Sequence, residues 1–82
     1  MNEFVKRIIT IFNSKNPNLK VIAVYKMGGD KAMVHATKTG NLSAEPNTYT
    51  VTLSGEVKLF SPIDNLRKYH RIHDPKNLLW SR

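Results

Sequence analysis

The 82-residue chain sets thirteen Lys or Arg against six Asp or Glu, for a net charge of +7, with 40% hydrophobic residues and no cysteine. A chain of this length holds one domain, residues 1–82, with a thin core, and its apolar share is too high for a disordered polypeptide. The lack of cysteine excludes disulfides, thiolate metal sites and thiol catalysis, and it fits a reducing, cytoplasmic setting.

Residues 1–13 predict an amphipathic helix. At 3.6 residues per turn Met1, Phe4, Val5, Ile8, Ile9, Ile11 and Phe12 share one arc, and Asn2, Glu3, Lys6, Arg7 and Thr10 fill the other. Glu3 and Arg7 stand four apart in the order that favours a weak surface pair. The wide apolar arc suits a helix laid over a sheet. Its charges, and the lack of a small-residue cleavage site, argue against a targeting segment. No run approaches the ~18 apolar residues of a membrane span. Pro17 and its neighbouring asparagines stop the helix.

KVIAVYKMGGDKAMVHATK, residues 20–38, predicts a β-hairpin turning at Gly28-Gly29. With that pair as the loop, Val21, Ala23 and Tyr25 share a face with Ala32, Val34 and Ala36. Ile22, Val24, Met33 and His35 share the other. Both faces are apolar, so one packs on the helix and the other needs a second cover. TKTGNLSAEPNT, residues 37–48, is a polar connection long enough to act as a flap.

TYTVTLSGEVKLF, residues 48–60, predicts a second hairpin. A three-residue loop with Gly55 in a left-handed conformation pairs Val51 with Val57 and Tyr49 with Leu59, which keeps the apolar face intact. The opposite, threonine face is expected to meet solvent. Ser61-Pro62-Ile63-Asp64 then signals a helix start: a capping hydroxyl, a proline suited to the first position and an acid in the first turn. That helix should end before Pro75. On its wheel Leu66, Tyr69, His70, Ile72 and His73 fall on the packing side.

The expected architecture is therefore α+β: an antiparallel four-stranded sheet of two hairpins, an N-terminal helix packed on one face, and a C-terminal helix closing an edge or the other end. Asn77-Leu78-Leu79-Trp80 is an apolar tail that folds back on the sheet or anchors an interface through Trp80.

Three constellations bear on function. Arg67, Lys68 and Arg71 share the outward arc of the last helix, with Lys76 close behind. They read either as a solvated outer face or as an anion or nucleic-acid contact surface, from which Asp64 subtracts one charge by pairing with Lys68. Without helix-turn-helix, RNP or KH patterns, such binding has no sequence preference. Second, Trp80, Met33 and Val24 are interface candidates: the second face of the first hairpin needs a cover, from the chain's far end or from a partner, and Trp is favoured at interface centres. Third, His35, His70 and His73 serve a metal or catalytic site only if they converge. No nucleophile elbow, phosphate loop or paired carboxylates accompany them, so the residues point to no catalytic site, no metal and no cofactor.

VIAVYKMGGD at 21–30, YTVTLSGEVKLFSP at 49–62 and DPKNLLW at 74–80 together give a pattern covering most of the chain. It resembles the strand-and-turn, hairpin-into-helix and closing-tail segments of small uncharacterised phage and prophage proteins of Gram-positive bacteria. The resemblance implies a non-enzymatic accessory or structural protein of a mobile element, resident in the host cytoplasm, and carries over no site residues. The first functional expectation is accordingly protein–protein interaction, with an unidentified partner or a second copy in a homodimer. The alternative is nucleic-acid binding through the basic helix.

Overall fold

The computed structural model describes residues 1–82. Its elements are α1 (Glu3–Lys15), β1 (Lys20–Gly28), β2 (Lys31–Thr37), β3 (Asn47–Thr52), β4 (Val57–Leu59), α2 (Leu66–Ile72), a 3-10 turn (Pro75–Asn77) and β5 (Leu78–Ser81). The strands form one antiparallel sheet in the order β4-β3-β2-β1-β5. The sheet thus has five strands, where the sequence predicts four. The apolar tail supplies the fifth, setting Val24 opposite Trp80 and Ala23 opposite Ser81. Otherwise β1 would be an edge with unpaired N–H and C=O groups, and a strand is the direct way to satisfy them. Arg82 extends the same pairing: its backbone N–H donates to the Ile22 carbonyl at 3.0 Å, and its Nε donates to the Val21 carbonyl at 2.8 Å.

α1 follows its pattern closely. The Asn2 side chain accepts from the Val5 N–H at 2.8 Å, which caps the first turn, and Glu3 sits where the helix dipole favours an acid. Val5, Ile8 and Phe12 are fully buried against Val21, Val24, Ala32, Val34, Ala36 and Val51. The Phe12 and Tyr49 rings meet edge to face at 4.9 Å. This is the main core, and it lies on one face of the sheet.

The second hairpin has the expected register. Val51 pairs with Val57 and Tyr49 with Leu59, around a three-residue loop in which Gly55 takes φ +103°. The first hairpin differs. Gly28 pairs with Lys31, so the turn is Gly29-Asp30, and the register shifts between Val21 and Ala23 and again between Lys26 and Gly28. The extra residue at Ile22 reverses every side chain beyond it. Val24 therefore faces α1 beside Val34, and Tyr25 lies opposite Met33 on the far face.

That far face is covered, too. Phe60 and Ile72 bury Met33, with Tyr25, Met27 and Tyr69 packed around them. α2 thus lies across the sheet from α1, not at an edge. The threonine face is not solvated: Thr48 and Thr52 are 5% and 8% exposed, and the Thr52 and Ser54 hydroxyls hydrogen-bond at 2.6 Å. The helix start at Ser61 gives only a single turn, with the Asn65 N–H donating to the Ser61 carbonyl at 3.1 Å. Asn65, at φ −128° and ψ 43°, leaves helical geometry, and the regular helix begins at Leu66. Ile72 ends it ahead of Pro75, as expected. No helix is long and apolar enough to cross a membrane.

Candidate functional site

α2 has two sides, and both carry groups singled out by the sequence. On the inner side four rings meet. Tyr25 comes from β1, His35 from β2, Tyr69 from α2, and His73 from the residue that caps the helix C-terminus. The His73 ring stacks on Tyr69 at 5.0 Å and 11°, and lies 4.9 Å from Tyr25 and 5.3 Å from His35. The His35 Nε2 stands 3.5 Å from the Tyr69 hydroxyl, at the outer limit of a hydrogen bond.

Only 6% of His35 is exposed. Burial, and then the neighbouring His73, lower its pKa from 6.5 to about 4, so it is neutral at physiological pH. Burial raises both tyrosines from 10.0, and Tyr25 adds to the rise at Tyr69. His35 and the two tyrosines therefore meet the sheet uncharged, which is what packing requires, while His73 lies at the exposed end of the cluster. His70 stands apart: it is exposed and touches only the Tyr69 ring, at 6.0 Å. His35 and His73 thus converge and His70 does not, and no three His, Asp or Glu side chains are grouped to hold a metal ion.

The outer side is basic. Arg67, Lys68, Arg71 and Lys76 are all exposed. The expected Asp64–Lys68 and Glu3–Arg7 pairs do not form; Lys58 with Glu56, at 3.5 Å, is the one ion pair in the molecule. Lys68 instead places its ammonium group 6.0 Å from the Phe60 ring centroid. It also shares a shallow groove with Lys31, Lys58, Thr50 and Asn65. Arg71 borders another groove with Lys26 and Asn77.

The inward stripe is narrower than the wheel implies. Leu66 is 56% exposed and Ile63, in the turn before the helix, 86%. A helix that starts at Leu66 leaves both at its open end.

The interface candidates fare differently. Val24 and Met33 are fully buried, one beneath α1 and the other beneath Phe60 and Ile72, so neither offers a contact surface. The cover on the second face is the chain's own far part, Phe60 and α2, and not a partner. Trp80 is half-buried in β5 and packs against the main core. Two residues that sequence patterns did not flag hold α2 in place. The Asn77 amide donates to the Arg71 and Ile72 carbonyls at 3.1 and 3.2 Å, closing the helix end. Asp74 accepts from the Lys76 N–H at 3.0 Å and starts the 3-10 turn. Asp-Pro after a helix is a capping signal in its own right, and it could have located the second of these.

Comparisons with protein families, curated proteins and solved structures return no match to this chain.

Proposed function

We propose that the chain is a non-enzymatic binding protein whose basic α2 face engages nucleic acid without sequence preference. The observation that carries this is the exposure of Arg67, Lys68, Arg71 and Lys76 with no carboxylate within ion-pair distance of any of them. Lys31 widens the cationic surface around Lys68, while Lys58, paired with Glu56 in the same groove, adds no net charge. Uncompensated cations of this density are suited to phosphate, and contacts of that kind position a backbone but read no bases. An accessory role in a phage or mobile element, which the sequence resemblance suggests, agrees with such an activity.

Fluorescence anisotropy of labelled single-stranded and duplex oligonucleotides tests the proposal. Four phosphate contacts predict roughly a hundredfold loss of affinity between 50 and 200 mM salt. Arg67→Glu with Arg71→Glu should abolish most of the binding at low salt. Salt-independent binding, or affinity unchanged by the double reversal, refutes this face as the site.

A protein-partner reading has its own support. Leu59, Ile63 and Leu66 are 74%, 86% and 56% exposed, around the open edge of β4 and the start of α2. If a partner or a second copy docks there, Ile63→Asp removes the association seen by light scattering or pull-down. A strictly monomeric, partnerless protein counts against it.

A further inference from the structure

The opposite side of the molecule carries the largest depression, a groove of about 540 Å³ between α1 and the β1–β5 end of the sheet. Its apolar wall includes Ile9, Leu19, Val21 and Trp80, and its charged lining side chains are those of Lys20 and Arg82 alone. No carboxylate side chain lines it. From these residues we propose a site for a small amphipathic anion, an alkyl or aryl carboxylate whose head group lies between Lys20 and Arg82 and whose apolar body covers Trp80. This site is independent of the α2 face.

Two observations converge on it. The first is that two cationic side chains flank one glycine. Gly40 packs against both: a Cβ built there would lie 3.3 Å from Lys20 Cδ and 3.5 Å from Arg82 Cζ. Neither cation has a carboxylate within ion-pair distance. Two cationic side chains at one groove that no carboxylate side chain neutralises favour a bound anion. The second is that the guanidinium is already oriented. Arg82 Nε donates to the Val21 carbonyl at 2.8 Å, which leaves both terminal nitrogens without a partner in the chain. A carboxylate meets such a fork with little ordering cost. The volume is in the range of small-molecule sites, which pair an apolar lining with a few fixed polar groups. Gly40, from the 37–48 connection that the sequence reads as a flap, backs both side chains.

Trp80 is the chain's only tryptophan, so its emission reports on this groove alone. The test titrates the full chain with decanoate and, separately, with decylammonium, following Trp80 fluorescence and amide chemical shifts. Decanoate should give a saturable change, with shifts centred on Ile9, Leu19 and the Trp80 indole, and decylammonium should not. Lys20→Glu, at an exposed residue whose loss leaves the core intact, should weaken decanoate about tenfold or more, as expected for one charge-assisted contact. Ile9→Ser should weaken it while the near-UV spectrum of the free protein stays native-like. The proposal is overturned if decanoate gives no saturable change or binds Lys20→Glu equally well. Equal binding of decylammonium, shifts that map to α2, or ligand-independent self-association through this face would also overturn it.

Discussion

Lowering the pH should unseat α2 through His35, and the size of the effect follows from its burial. In the unfolded chain this imidazole takes up a proton near pH 6.5; in the fold it does so only near pH 4. Between those values the unfolded state binds more protons, so stability rises with pH across that window. The contribution of neutral His35 is fully present above pH 6.5 and is lost as pH falls toward 4. It amounts to roughly 3 kcal/mol, since one pKa unit corresponds to about 1.4 kcal/mol. That is a large share of what so small a domain has. Urea unfolding at a series of pH values between 7 and 4 measures it, with His35→Gln as the control. Glutamine keeps a polar atom near the Tyr69 hydroxyl and does not titrate, and the carboxylates contribute equally to both proteins. Wild type should therefore lose roughly 3 kcal/mol more than the variant over this range. The two tyrosines remain neutral throughout, because burial moves both upward. Parallel profiles for the two proteins, or an NMR midpoint for His35 near 6.5, would refute the reasoning.

Other changes probe the packing. Phe12→Ala empties the centre of the main core and should cost about 3–5 kcal/mol, enough to unfold much of the protein at room temperature in a thermal scan. Thr37→Val acts in the opposite direction. The Thr37 hydroxyl is buried without a hydrogen-bond partner, and an isosteric methyl should raise stability by about 1 kcal/mol in denaturant titrations. Gly55→Ala places a Cβ on a backbone at φ +103° and should lower stability by about 1 kcal/mol or more, although nothing crowds the position. Asn77→Ala takes its side-chain donor from the Arg71 carbonyl and leaves the Ile72 carbonyl only the Asp74 N–H, and amide exchange should rise in α2 well before it rises in α1.

How far the sequence could be read depended on how much each segment's pattern constrained it. β3 and β4 alternate cleanly between apolar and threonine positions, so only one loop length preserves the face, and the register followed. β1 and β2 are apolar on both sides. Such a strand gives no penalty for a one-residue slip, and the bulge at Ile22 was invisible for that reason. The slip exchanged the faces of Val24 and Tyr25, which removed one interface candidate and brought a ring to the histidines. β5 is four residues long, and its partner lies at the other end of the chain. No local rule identifies such a strand, although an apolar tail was evident. The outward positions of Arg67, Lys68 and Arg71 were legible because a helix wheel needs no tertiary information. The meeting of His35 with His73 was not, since it depends on how α2 crosses the sheet.

The fifth strand has a kinetic consequence. Ala23 and Val24 are synthesised well before the residues that complete their ladder, Trp80 and Ser81. Closing so long a loop carries an entropic cost that local hairpins avoid. The four-stranded meander and α1 can assemble while one flank of β1 stays open, with its amides free to pair with a neighbouring chain. Docking of Leu78–Ser81 is then the step that separates a finished molecule from an adhesive intermediate, and it sets how long each new copy is exposed to aggregation.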